Sequence, residues 1–300
     1  MSRIHFFLDP LELDLSESWP KEEARIRTLT DDFSIHVLRG KGHAEHWLRD
    51  LHRTQAELVV AVGGDRLVHE LVNTPIEKPG LHIAFHRELC QGNFRLHRQN
   101  SKPFLEFLRD FLSGQRRTVA MDLGEARFVG SYGEKVRRYF FSHASFGLPA
   151  AVLHRLPAPS TRRQAFRTLL RVVPFYRHPA FRMEVNGRSQ PPDFFLGGFV
   201  QNIPWCARGV RVAGEALDHD SLLDFITLRP ASWLRTSWAA ARLLFKDELS
   251  GQFMKRESVR HLKIESTTSQ RNVRIELDGE SWGHLPVEIE NRAARFEFLE

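Results

Sequence analysis

Leu58-Val59-Val60-Ala61-Val62-Gly63-Gly64-Asp65 is the stretch on which the fold turns. An unbroken apolar run closed by glycine predicts a short strand buried on both faces, as in a sheet covered by helices. Leu67, Val68, Leu71 and Val72 follow at helical spacing and stop at Asn73 and Pro75, so the glycine pair is a strand-to-helix turn. Upstream, Ile4 to Leu8 and Ser34 to Leu38 read as strands, Trp19 to Leu29 and Ala44 to Leu51 as helices. Downstream, Leu81 to Phe85 is a further strand. This βαβα rhythm predicts an α/β class with a mostly parallel sheet. Pro103 opens another helix, carrying Phe104, Phe107, Leu108 and Phe111, and Gly114 closes it.

Beyond about residue 122 the rhythm changes to strands and hairpins, which predicts a β-rich, sandwich-like second domain. Arg138 to Phe146, Phe181 to Val185 before an Asn186-Gly187 turn, Phe194 to Ile203 and Leu222 to Leu228 read as strands. So do Val259 to Glu265, Asn272 to Leu277, Val287 to Glu290 and Ala294 to Leu299. One helix interrupts them, with Leu234, Trp238, Ala241 and Phe245 along a stripe. The expected domains are 1–122, which 291–300 would complete, and 123–290.

The turn carries the first chemistry. Glycines let backbone approach an anion, and the free N–H groups at the next helix start attract phosphate. Asp65 is placed to cap that helix or to help position a metal-bound nucleotide. Taken alone, a capped turn needs no ligand.

Composition sets the outer bounds. Apolar residues make up 42% and charged residues 27% of 300, ordinary for a globular chain, and no apolar run reaches the roughly 18 residues that span a bilayer. Cys90 and Cys206 stand far apart, with neither metal nor disulfide spacing, which fits a reducing cytoplasm. The net charge of +6 is concentrated: residues 135–183 contain no Asp or Glu. Within them, residues 161–173 form a basic amphipathic segment. Arg163, Arg167 and Arg171 recur at four-residue steps, with Phe166, Leu169, Leu170 and Val173 on another face. Such a segment suits a peripheral contact with anionic lipid headgroups or a solvated helix packed on the β domain. Nucleic acid ranks last as a partner, because the aromatics near the arginines follow apolar periodicity.

The segments around the turn resemble the diacylglycerol-kinase and sphingosine-kinase family, whose fold is similar to that of NAD kinase. Gly42-His43-Ala44, the run from Leu58 to Asp65, and Val68-His69-Glu70-Leu71-Val72-Asn73 are similar to its nucleotide-binding segment. Tyr139 to Gly147, Asn202-Ile203-Pro204, Ala216 to Asp224 and Leu277-Asp278-Gly279-Glu280 then match later pieces in the family's order. The resemblance implies an N-terminal α/β nucleotide-binding domain and an ATP-dependent lipid kinase, assisted by Mg²⁺. It implies that Gly63, Gly64, Asp65 and Arg66 face the nucleotide, with Glu70 on the helix behind them and Gly92 and Asn93 from a second phosphate loop. Asp278 and Glu280 would flank the acceptor hydroxyl, one of them as general base. Asp220, with the carbonyls of Leu217 and Leu222, matches the family's structural Mg²⁺ spacing. The lipid substrate would be met at a membrane surface.

The departures cluster in the nucleotide segment. The family continues its turn with Gly-Thr, where this chain has Arg66 and Leu67. Its second loop, Gly-Thr-Gly-Asn-Asp, is here Cys90-Gln91-Gly92-Asn93-Phe94. Its N-terminal loop beginning Asn-Pro is reduced to Asp9-Pro10, followed by Leu11-Glu12-Leu13-Asp14. The glycine-rich loop after Pro204 has become Trp205-Cys206-Ala207-Arg208-Gly209. That distribution keeps a second function open: a catalytically impaired member acting as a lipid-binding or regulatory protein at the membrane.

Overall fold

The computed structural model describes residues 3–11, 13–51, 54–75, 78–130, 132–156, 161–177, 179–206, 209–246, 251–267 and 273–300. Glu12, Ala207, Arg208 and Asn272, named above, lie outside them. The chain divides into two compact units, one of residues 1–121 and 294–300, the other of residues 122–293.

The first unit alternates as the sequence predicts: β1 (Ile4–Leu8), α1 (Ser18–Arg27), β2 (Phe33–Val37), α2 (His43–Leu51), β3 (Leu58–Val62), α3 (Asp65–Asn73) and β4 (His82–Phe85). The short α4 (Asn93–His97) and then α5 (Phe104–Leu112) follow. The strands lie parallel in the order β2-β1-β3-β4, with β1 and β3 paired from Ile4–Leu58 to Leu8–Val62. Leu299, at the C-terminal end of the chain, lies parallel beside Ala84, so the tail extends the sheet edge. Every residue of β1 and of β3 is buried, which is why β3 reads as a continuous apolar run and β1 has only His5 among its apolar residues. Phe6 is the hub of one face, with Trp19, Phe33 and Phe104 rings centred 5.3 to 5.9 Å away. Burying a ring of this size contributes roughly 2–3 kcal/mol.

The second unit is built of β5 (Thr118–Gly130), which begins in the first unit, then β6 (Lys135–Phe140), β7 (His143–Gly147), α6 (Leu148–Leu153) and α7 (Arg162–Val172). A 3-10 turn, Val173–Phe175, leads to β8 (Ala180–Val185), β9 (Arg188–Phe194), β10 (Gly197–Gln201), β11 (Trp205–Cys206), β12 (Val210–Arg211) and β13 (Leu223–Leu228). The chain closes with α8 (Trp233–Lys246), β14 (Met254–Val259), β15 (His261–Ser266), β16 (Arg274–Leu277) and β17 (Glu280–Leu299). Neighbours along β14-β13-β10-β7-β16-β17 are antiparallel, and β15, β8 and β9 continue from β17. Phe181 and Phe195 stack at 4.2 Å in the sandwich core, with Phe146 edge-on to both. Asn186 and Gly187, both at positive φ, make the tight β8–β9 hairpin the sequence predicts.

Phe194 to Ile203 spans the end of β9 and β10, and Val259 to Glu265 the end of β14 and β15; two further strand readings differ from the structure for a physical reason. Arg138 to Phe146 is two strands, because the N–H groups of Phe141, Ser142 and His143 donate to the Asp278 carboxylate. Val287–Glu290 and Ala294–Leu299 belong to one long strand: Arg292 between them pairs with the buried Glu125 of β5. Among the described residues no helix is long and apolar enough to cross a membrane.

Both cysteines are thiols, and both are buried. Burial pushes the Cys90 thiol up to about 11, while its Sγ–H donates to the Ala61 carbonyl at 3.2 Å. A thiol with so little thiolate is slow to alkylate. Iodoacetamide at mildly alkaline pH is therefore expected to label neither cysteine in the native chain and both in urea. Rapid native labelling, read by mass spectrometry, would contradict this burial.

Candidate functional site

The glycine turn in the first unit is shaped by the chain's own side chains. The ends of β1 and β3 run in register, so Asp9 leaves β1 beside Gly63, and its N–H donates to the Val62 carbonyl at 2.9 Å. A Cβ on Gly63 would come within 2.8 Å of Leu67 Cδ2 and 3.0 Å of Asp9 Cβ, so this glycine is required by a protein contact. The Asp9 side chain is fully buried. Its carboxylate pairs with the Arg66 guanidinium and accepts the Leu11 N–H at 3.1 Å. Arg66 also lies 3.8 Å from Glu70.

The two acids assigned to the turn face helix starts. Asp65 accepts the N–H groups of Asn93 (2.8 Å) and Phe94 (3.1 Å), capping α4. Gly92 has a φ of 94°, and a Cβ there would lie 2.5 Å from the Asp65 carboxyl. Glu70 accepts the N–H groups of Ala44 (2.7 Å) and Glu45 (3.1 Å), capping α2. The structure thus brings Gly63, Gly64, Asp65, Arg66, Glu70, Gly92 and Asn93 into one neighbourhood. Within it, carboxylates already occupy backbone donors at two helix starts, where an anion would bind. Asp14 is exposed, its carboxyl held below the usual range by the Ser16 hydroxyl and amide.

In the second unit, Asp278 and Gly279 form the hairpin turn between β16 and β17, both at positive φ. The buried Asp278 carboxylate accepts three backbone N–H groups, from Phe141 (3.1 Å), Ser142 (2.9 Å) and His143 (3.1 Å). Glu280 opens β17 and is half-buried. Asp220 is exposed, with one oxygen accepting the Leu222 N–H at 2.9 Å. The Leu222 carbonyl is met by Asn291 Nδ2 at 3.3 Å, and Leu217 is exposed. One carboxylate and nearby carbonyls are the hard oxygen donors magnesium takes. Among the described residues no group of three or more His, Cys, Asp or Glu side chains is set to hold a metal ion.

A buried polar row beside this turn is not evident from the sequence. Glu276 of β16 accepts from Ser145 Oγ and from the Gly279 N–H, and lies 3.3 Å from His143 Nε2. His143 Nδ1 is 3.1 Å from Ser142 Oγ. Gln201 stands opposite His143 on β10, fully buried, and neither of its amide atoms has a hydrogen-bond partner among the described residues. Glu276 reads as the solvent-facing residue of an alternating strand, and nothing local marks it as buried. Asp9 left a usable signal: an acid at the end of an apolar strand parallel to β3.

A mostly parallel α/β unit with a Gly-Gly-acid turn after a central strand, followed by a β-sandwich, defines a kinase fold of the diacylglycerol kinase and NAD kinase type. A sequence-family model of the YegS C-terminal NAD kinase beta sandwich-like domain matches residues 144–299, and one of the diacylglycerol kinase catalytic domain matches residues 14–85. The chain belongs to the diacylglycerol-kinase-like family of kinases. A solved diacylglycerol kinase structure from Bacillus anthracis str. Sterne has a TM-score of 0.66 at 15% identity, covering 99% of this chain and 96% of that one. Another structure from the same organism has a TM-score of 0.72 at 15% identity, covering 99% and 95%. Yeast NADH kinase complexed with NADH has 0.50 at 10% identity, covering 99% and 82%. These likenesses carry the fold. No curated protein sequence matches the chain.

Proposed function

We propose that the chain is an ATP-dependent lipid kinase whose second unit receives the hydrocarbon part of a diacylglycerol- or sphingosine-like lipid. The observation that carries the lipid class is a cavity of about 120 Å³ between α6, α7, α8 and the sheet. Its walls are apolar, among them Leu148, Val152, Leu169, Phe199, Leu243 and Leu244. Asp278 holds the turn, and Glu280 takes the proton of the lipid hydroxyl. The hydroxyl oxygen forms a bond to the terminal phosphorus of ATP, the bridging P–O bond breaks, and ADP leaves. Asp220 with the carbonyls of Leu217 and Leu222 would hold Mg²⁺, which when bound supplies a fixed positive charge to that loop.

Glu280→Gln is expected to lower phosphate transfer from labelled ATP to a lipid panel on the order of a hundredfold to ten-thousandfold. The circular-dichroism melt should not change, since Glu280 is not held in the core. Turnover kept by this variant would remove Glu280 as the base.

One observation favours a second reading, a lipid-binding or regulatory member without turnover. Asp65 and Glu70 cap the helix starts at the nucleotide turn, and Asp9 and Glu70 surround the Arg66 cation. Calorimetric titration with ATP and magnesium separates the two. No heat at millimolar nucleotide removes the kinase and leaves the lipid-binding reading.

A further inference from the structure

The apolar stripe of α8 faces outward. Leu234 is 61% exposed, Trp238 49% and Phe245 49%, while Thr236, Ser237, Ala239 and Leu244 are buried. Trp233, at the helix start, is 53% exposed, and Phe175, in the 3-10 turn that packs on α8, is 84% exposed. A surface helix ordinarily turns such a stripe to the core. Here α8 turns Thr236, Ser237, Ala239 and Leu244 inward, and Leu234, Trp238 and Phe245 meet solvent.

This ridge is continuous with the arginines of α7. Phe166 of α7 meets Phe245 edge-on at 5.8 Å, and Arg162 Nη1 donates to the Leu244 carbonyl at 3.0 Å, joining the two helices. Arg163, Arg167, Arg171 and Leu170 are all exposed on α7, Arg235 is exposed on α8, and Arg242 lies over the Trp238 ring at 5.1 Å. Neither helix carries an Asp or Glu. The inner faces of the same helices line the cavity, through Ala165 and Leu169 of α7 and Ala239, Ala240 and Leu243 of α8.

We propose that the outer faces of α7 and α8 dock on an anionic bilayer, with Leu234, Trp238, Phe245 and Phe175 entering the headgroup–acyl boundary and the arginines meeting the headgroups. Tryptophans beside arginines on an outward apolar ridge are the composition of an interfacial helix. A second copy of the chain fits this surface poorly, because it would set arginine against arginine with no acid on either helix to meet them. Docking here puts the helices that wall the cavity at the bilayer surface, so a lipid enters from the membrane without crossing water. The inference rests on the lipid-substrate reading only for what enters the cavity, and its test uses neither nucleotide nor turnover.

The experiment is flotation of the full chain with phosphatidylcholine vesicles, with and without phosphatidylglycerol. Binding is expected to the anionic vesicles and to fall with salt. Brominated lipids should quench tryptophan fluorescence of the wild-type chain, a readout that needs no variant. Leu234→Ser with Trp238→Ser should weaken partition about tenfold or more. Arg163→Gln with Arg167→Gln and Arg171→Gln should weaken it roughly a hundredfold. Each variant should keep the wild-type melting curve, since all of these side chains are exposed. The proposal is overturned if the wild-type chain stays with the unfloated protein, or if the Leu234/Trp238 variant binds as well as wild type. It is also overturned if the chain is a dimer that the same variant splits.

Discussion

Asp278→Ala is expected to cost the second unit about 4 kcal/mol of folding stability, a large part of the roughly 5–15 kcal/mol that holds a domain together. Three buried backbone N–H groups lose a charged acceptor at once. Alanine must also hold the positive φ of 51°, which costs a further 1 kcal/mol or so. Asp278→Asn separates these contributions. Asparagine tolerates the left-handed region and keeps one acceptor oxygen, but sets an NH₂ against a backbone donor, so about 2–3 kcal/mol is expected. Glu280→Gln, two residues on, should fall within about 0.5 kcal/mol of wild type. Urea denaturation of the three variants decides this, and an Asp278→Asn chain as stable as wild type would sink the account. The contrast also bears on how loss of activity is read. A dead Asp278 variant reports an unfolded turn, whereas a dead Glu280 variant reports lost chemistry.

The same turn shows where the sequence stops being legible. The β3 run announces itself because burial on both faces leaves no polar residue in it, and the strand periodicity needs no partner to be seen. The break between β6 and β7 is caused by a carboxylate more than a hundred residues away, so nothing in Arg138 to Phe146 could reveal it. β5 escaped because Asp122 and Glu125 interrupt its apolar pattern; both are buried and matched, Asp122 to the Ser221 N–H and Glu125 to Arg292. The stripe of α8 was visible, but its direction was not, because periodicity finds an apolar face without saying what covers it. In the Gly63-Gly64-Asp65 turn the glycines and acids were legible by position. Their targets were not: a cap on α4 and a cap on α2 are contacts between elements that sequence spacing leaves unordered.

Arg66→Gly, which restores the family's residue after Gly-Gly-Asp, is expected to destabilise the first unit by about 3–5 kcal/mol. The Asp9 side chain is fully buried, and Arg66 is the cation against it. Removing the arginine strands a carboxylate in a low-dielectric site, and the new glycine in the first turn of α3 adds several tenths of a kcal/mol. The resemblance places Asn-Pro where this chain has Asp9-Pro10 and Gly where it has Arg66, and in this chain the two departures meet: the acid pairs with the cation. Asp9→Asn together with Arg66→Gly should therefore recover about 2–3 kcal/mol relative to Arg66→Gly alone, since asparagine still accepts the Leu11 N–H and carries no charge to strand. A double-mutant cycle in urea measures that coupling, and additive losses would show that the pair does not act as a unit. The double variant also tests what the exchange did to the site. It clears a long side chain from the turn while keeping the Asp65 and Glu70 caps. Nucleotide affinity gained by the double variant, and absent from the wild type, would mean that the Asp9–Arg66 pair itself closes the turn to phosphate. Affinity unchanged in the double variant would place the obstruction at the two capping carboxylates instead.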